Sequence, residues 1–129
     1  SEQGVLASVL EYVSTSRCLL TEEIANNENY GFPACLGKAR WAVYGNSRPK
    51  IGVRKVLEAI PADMLALKAD FAGHKVLRVY LDKSDTLHPK LLFFTAGTGG
   101  NDLILAYFED GNLQEIEKEI EKIKQNIGS

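Results

Sequence analysis

Chemistry near neutral pH would start from the two histidines and two cysteines of this 129-residue chain. His88 precedes Pro89 in a stretch that also holds Asp82 and Asp85. Such a grouping could gather a divalent metal, or supply a carboxylate that orients an imidazole. Turns, however, select Asp, Ser and a residue before Pro for local hydrogen bonding, so the stretch reads as a turn and no metal site is expected. His74 follows Gly73 at the start of a strand-like run. Cys18 and Cys35 lack the short paired spacing of a zinc knuckle or redox motif and have no neighbouring His in sequence. They are expected as two buried or half-buried thiols in a reducing compartment. Gly97-Thr98-Gly99-Gly100 is followed by no Gly-Lys-Ser/Thr and joins two strands, so it reads as a hairpin connection and not a phosphate loop. Neither a Gly-x-Ser-x-Gly elbow nor a His-Glu-x-x-His pair occurs. The expectation is no catalytic residue and no cofactor.

Binding chemistry is better represented. From Asn29 to Leu57 there is no Asp or Glu, while Lys38, Arg40, Arg48, Lys50, Arg54 and Lys55 supply six positive charges. The chain as a whole is −2, so the nine lysines and arginines left elsewhere meet 17 carboxylates and the remainder carries −8. Tyr30, Phe32, Trp41 and Tyr44 are interleaved with the basic residues. Cations with aromatic side chains between them grip phosphate backbones and stack on bases, and the same charge meets an acidic protein surface. The sequence pI of about 5.7 weighs against a dedicated nucleic-acid protein, which is usually basic. The expected contact residues are Tyr30, Lys38, Arg40, Trp41, Tyr44, Arg48, Lys50, Arg54 and Lys55.

The elements that must position this segment follow from apolar spacing. A chain of this length holds one core, and with 45% hydrophobic and 25% charged residues it resembles an ordinary soluble globular protein; residues 1–129 are expected to form one domain. The longest apolar runs, such as Leu91–Phe94 and Leu103–Phe108, fall far short of the roughly 20 residues of a membrane span. The start, Ser1-Glu2-Gln3-Gly4, lacks Met and lacks a secretion-signal pattern, so it reads as a processed or trimmed product. The cysteines point to the cytoplasm, unless a signal peptide has been removed.

Val5, Leu6, Val9, Leu10 and Val13 form a helical stripe over about 2–14. Thr21 with Glu22 and Glu23 caps a short second helix running to about Asn27. Pro33 suits the first turn of a third, with Leu36, Ala39 and Val43 inward until Gly45. From about Gly52 to Phe71 the pattern reads as a helix kinked near Pro61. Three consecutive N-terminal helices resemble a helix-turn-helix, in which Ala25 and Asn29 fit the packing and turn positions, although Lys38 takes a place that the motif gives to an apolar residue. Beyond Gly73 the period becomes strand-like, at about 76–81, 90–95 and 103–108, and the short connections require antiparallel pairing. Leu113, Ile116, Ile120, Ile123 and Ile127 then trace the seam of a last helix, with Asn112 as its cap. With only two heptads, that seam is better spent on the sheet than on a coiled-coil partner.

The expected fold is α+β, with a helical N-terminal half and a three-stranded antiparallel meander packed by an amphipathic C-terminal helix. The expected function is a non-catalytic binding or regulatory module that takes an acidic protein or other anionic partner on residues 30–55. The alternative is a nucleic-acid-binding protein using the same segment, and a small enzyme comes third.

Overall fold

The computed structural model describes residues 4–15, 24–25, 34–36, 39–45, 55–71, 75–97 and 102–128. A six-stranded sheet forms its centre, with strands β1 (Ile24–Ala25), β2 (Ala39–Gly45), β3 (Leu65–Phe71), β4 (Lys75–Asp82), β5 (Lys90–Gly97) and β6 (Asp102–Phe108). Their order across the sheet is β1-β2-β6-β5-β4-β3, and every neighbouring pair is antiparallel. Strands β3 to β6 are a meander in chain order, as their short connections demand. Helix α1 (Val5–Thr15) packs on one face and helix α2 (Leu113–Gly128) on the other.

Period-two alternation divides the strand side chains between two cores. Tyr80, Leu92, Phe94, Leu105 and Tyr107 face Leu6, Val9 and Leu10 of α1, together with Leu57 and Ile60. On the other face Val79, Leu81, Leu91, Phe93, Ala106 and Phe108 meet Ile116 and Ile120 of α2, with Leu36 of the 3-10 turn Ala34–Leu36 filling in beside them. Sheets buried on both faces read as nearly continuous apolar runs, which is why Leu91–Phe94 shows no alternation in sequence.

The last helix is the one expected. The Asn112 side-chain oxygen accepts from the Glu115 N–H at 3.2 Å and so satisfies one of the orphan donors of the first turn. The ion pairs Glu115–Lys118 and Glu119–Lys122 form at 3.8 and 3.4 Å, whereas Glu121 and Lys124 do not pair. Exposed pairs of this kind contribute little, so the helix is held chiefly by Ile116 and Ile120, each worth about 1.5–3 kcal/mol on burial.

The helical N-terminal half is corrected. Helix α1 is present, but Val5, placed on its inner stripe, is exposed. The second helix, placed over Thr21 to Asn27, meets a strand at Ile24–Ala25, and the third is replaced over Ala39–Gly45 by β2, paired along its whole length with β6. Leu36, Ala39 and Val43 have helical spacing, yet Ala39, Trp41 and Val43 also alternate with Arg40, Ala42 and Tyr44. Pairing to β6 on one side and β1 on the other decides in favour of the second period, aided by the strand preference of Trp, Val and Tyr.

The helix kinked at Pro61 ends there instead. Residues 55–58 are helical, Pro61 has no N–H to continue the ladder, and after the 3-10 turn Ala62–Met64 the chain runs extended as β3. Leu67 and Ala69 are buried while Lys68 and Asp70 are exposed, a period of two. The meander therefore has four strands rather than three. Between Leu65 and Leu67 the register with β4 slips by one residue, a β-bulge at Ala66.

Candidate binding surface

Of the nine expected contact residues, four lie among the described ones. Arg40, Trp41 and Tyr44 are on β2, opposite Tyr107, Ala106 and Leu103 of β6 respectively. Strand alternation puts positions 40 and 44 on the α1 face of the sheet and position 41 on the α2 face. Lys55 is exposed at the start of the helical turn 55–58, whose Leu57 packs into the α1-side core. The structure thus places positions 40 and 44 on one face of β2, near the end of the sheet away from β3, and position 41 on the other, while the turn that carries Lys55 lies on the α1 face beside β4 and β5, where Leu57 and Glu58 line a cleft with Val76, Arg78, Tyr80 and Phe94. Tyr30, Lys38, Arg48, Lys50 and Arg54 lie outside the described residues, as do Cys18 and His74.

The turn that holds Asp82, Asp85 and His88 is held by its own side chains. Asp82 Oδ1 accepts from the Ser84 N–H at 3.1 Å and from the Ser84 hydroxyl at 2.7 Å. Asp85 Oδ1 accepts from the Leu87 N–H at 3.1 Å, and the Asp85 carbonyl accepts from the His88 N–H at 3.1 Å. These are side-chain-to-backbone turns of the kind Asp favours. Among the described residues no three His, Cys, Asp or Glu side chains are placed to hold a metal ion.

Asp82 is only 8% exposed, and its second oxygen lies 3.4 Å from where a Cβ on Gly4 would stand, so the carboxylate sits over the start of α1. A negative group is favoured at that end of a helix. Asp82→Ala is expected to cost about 0.5–1.5 kcal/mol, because it removes the two bonds to Ser84, whose exposed donors then turn to water, and the negative group over α1. Urea unfolding of the two proteins measures this, and equal midpoints would show that the carboxylate is dispensable.

Sequence reasoning passed over a cleft of about 190 Å³ on the α1 face, lined by Leu57, Glu58, Val76, Arg78, Tyr80 and Phe94. Arg78 Nη1 donates to Asp70 Oδ1 at 2.8 Å and to the carbonyls of Leu77 and Ala69 at 2.9 and 3.3 Å, so its charge is already met inside the sheet. The available signal was a lone Arg within the apolar run Val76 to Leu81.

Burial pushes the Tyr80 phenol up, against a smaller opposing effect of the Arg78 guanidinium. Above about pH 10 tyrosine ionises in the unfolded chain while Tyr80 still holds its proton in the fold. The unfolded chain then binds fewer protons, and stability falls as the pH rises. Tyr80→Phe is expected to lessen that alkaline loss, read as the difference in unfolding midpoint between neutral and strongly alkaline solution. An unchanged difference would remove Tyr80 from the account.

Cys35 is a free, half-buried thiol. Burial first, then the carboxylates of Glu119 and Glu115, raise its pKa, which keeps it protonated and a poor nucleophile at neutral pH.

No described helix is long and apolar enough to cross a membrane. Comparison with protein-family models, with curated proteins and with solved structures finds no match to this chain.

Proposed function

We propose that the chain is a non-catalytic binding or regulatory module that takes an acidic protein or other anionic partner on the basic, aromatic segment from Tyr30 to Lys55. The observation that carries this reading is the partition of charge, six positive charges without one carboxylate between Asn29 and Leu57 in a chain whose remainder is −8. Separation of that size steers an anionic partner toward one region and repels it from the rest. The placement of β2 supports it, because positions 40 and 44 share one face of the sheet.

The interleaved aromatics support a second reading, a nucleic-acid-binding protein using the same segment. Helix-turn-helix docking is no part of it, since Ala39–Gly45 is a strand. Titrating the protein with polyglutamate and with a single-stranded oligonucleotide at a series of salt concentrations separates the two. Retention of polyglutamate with weak oligonucleotide binding is the expected result. Tight oligonucleotide binding with a steep salt slope would favour the second reading, and binding of neither probe at low salt would overturn both.

A further inference from the structure

We propose that β3 is a self-association edge, at which two copies of this chain pair their Leu65–Phe71 strands antiparallel about Ala69 and join their sheets. Strand β3 ends the sheet, and its outer side presents a row of backbone donors and acceptors that no strand among the described residues satisfies. The bulge at Ala66 confines regular extension to the residues after it, among them Lys68, Ala69 and Asp70.

Charge decides what can pair there. Lys68 stands directly opposite Arg78 on β4, a like-charged cross-strand pair, while the Arg78 guanidinium turns to Asp70 at 2.8 Å. Lys68 is exposed and makes no ion pair with a described residue. Antiparallel pairing of two β3 strands about Ala69 sets Lys68 of each copy opposite Asp70 of the other, twice by symmetry. Moving the centre by one residue sets Lys68 against Lys68, or Asp70 against Asp70, so one register is favoured and its neighbours are penalised. A lysine on an edge strand ordinarily turns other strands away. Here it turns away strands that bring no carboxylate to that place, and the strand that does bring one is β3 itself.

Beside the edge runs a groove of about 350 Å³ lined by Leu65, Ala66, Leu67, Lys68, Lys124 and Ile127. Ile127, the last residue of the α2 seam, is 39% exposed there, and a second copy would cover it. Such a dimer carries its two β2 strands, with Arg40, toward the far ends of one continuous sheet.

Sedimentation equilibrium of the full chain tests this with Lys68→Glu, Asp70→Lys and the double charge swap. The wild type is expected to dimerise, each single reversal to weaken association about tenfold or more, and the swap to restore it. Lys68→Gln and Asp70→Asn give the same ranking, more weakly, if a reversed charge disturbs the fold. A wild type that is monomeric at every concentration overturns the proposal, whatever else binds the edge. So does a dimer that neither single variant weakens, or a double swap no better than the singles.

Discussion

Phe108→Ala is expected to destabilise the fold by about 3–5 kcal/mol, the range for truncating a fully buried aromatic side chain. Phe108 is 1% exposed and sits where three parts of the structure meet. It ends β6, it is flanked by Ala39 of β2 and Leu91 of β5, and it shares a core with Ile116 and Ile120 of α2. Its ring meets that of Phe93 edge to face, with centroids 5.8 Å apart and planes at 76°, a geometry that adds about 0.5–1.5 kcal/mol beyond burial. Removing it leaves a cavity between a sheet and a helix, neither of which can collapse without breaking register. Domains are commonly stable by only about 5–15 kcal/mol, so the variant keeps a fraction of its stability or unfolds outright. Urea titration should show a lower midpoint with an unchanged slope. Leu87→Ala, at a side chain 83% exposed, is the control and should shift the midpoint hardly at all. Similar midpoints for the two variants would mean that the β6–α2 core is not where stability resides.

Gly111→Ala is the second large effect, and its cause is the opposite, too much matter and not too little. A Cβ at position 111 would lie 2.8 Å from Ile116 Cδ1, 3.0 Å from the Cys35 carbonyl oxygen and 3.1 Å from that of Leu36. The isoleucine methyl can swing aside. The two carbonyls belong to the 3-10 turn Ala34–Leu36, whose Leu36 is itself 2% exposed, and they cannot move without dislodging that side chain. Overpacking of this sort costs about 1–3 kcal/mol, and backbone on the receiving side puts the expectation at the upper end. The companion variant Leu36→Ala is expected to cost about 2–5 kcal/mol alone and to relieve part of the Gly111→Ala penalty, so the double variant should fall short of the sum. Strict additivity would show that position 111 does not press on the turn.

What was legible in the sequence follows from which elements carry a single unambiguous period. Leu113 to Ile127 has helical spacing and no competing alternation, and Asn112 announces its start; the structure reproduces both. Strands β4 to β6 were legible because β-branched and aromatic residues lie between glycine and aspartate turns. Strands β2 and β3 were not. Ala39–Gly45 and Leu65–Phe71 each satisfy both periods at once, and Ala, Leu and Lys in the second are good helix formers. Pairing with β6 and with β4, distant or sequential contacts that local spacing does not reveal, overrides that preference. The basic segment was legible as charge, since composition needs no fold. Its geometry was not, because the helix once placed under Arg40, Trp41 and Tyr44 is a strand that sends position 41 to the opposite face. The Arg78–Asp70 pair was hidden for a related reason, as a bridge between two adjacent strands one of which read as helix.

The central claim is that the positive charge between Tyr30 and Lys55 recruits an anionic partner. Reversing Arg48, Lys50 and Arg54 together to Glu, and measuring polyglutamate binding by fluorescence anisotropy at low salt, tests it most directly. The account predicts salt-sensitive binding by the wild type and its abolition in the triple variant, with the thermal unfolding midpoint unchanged. Binding by the triple variant equal to that of the wild type would contradict it, and would make the segment ordinary surface.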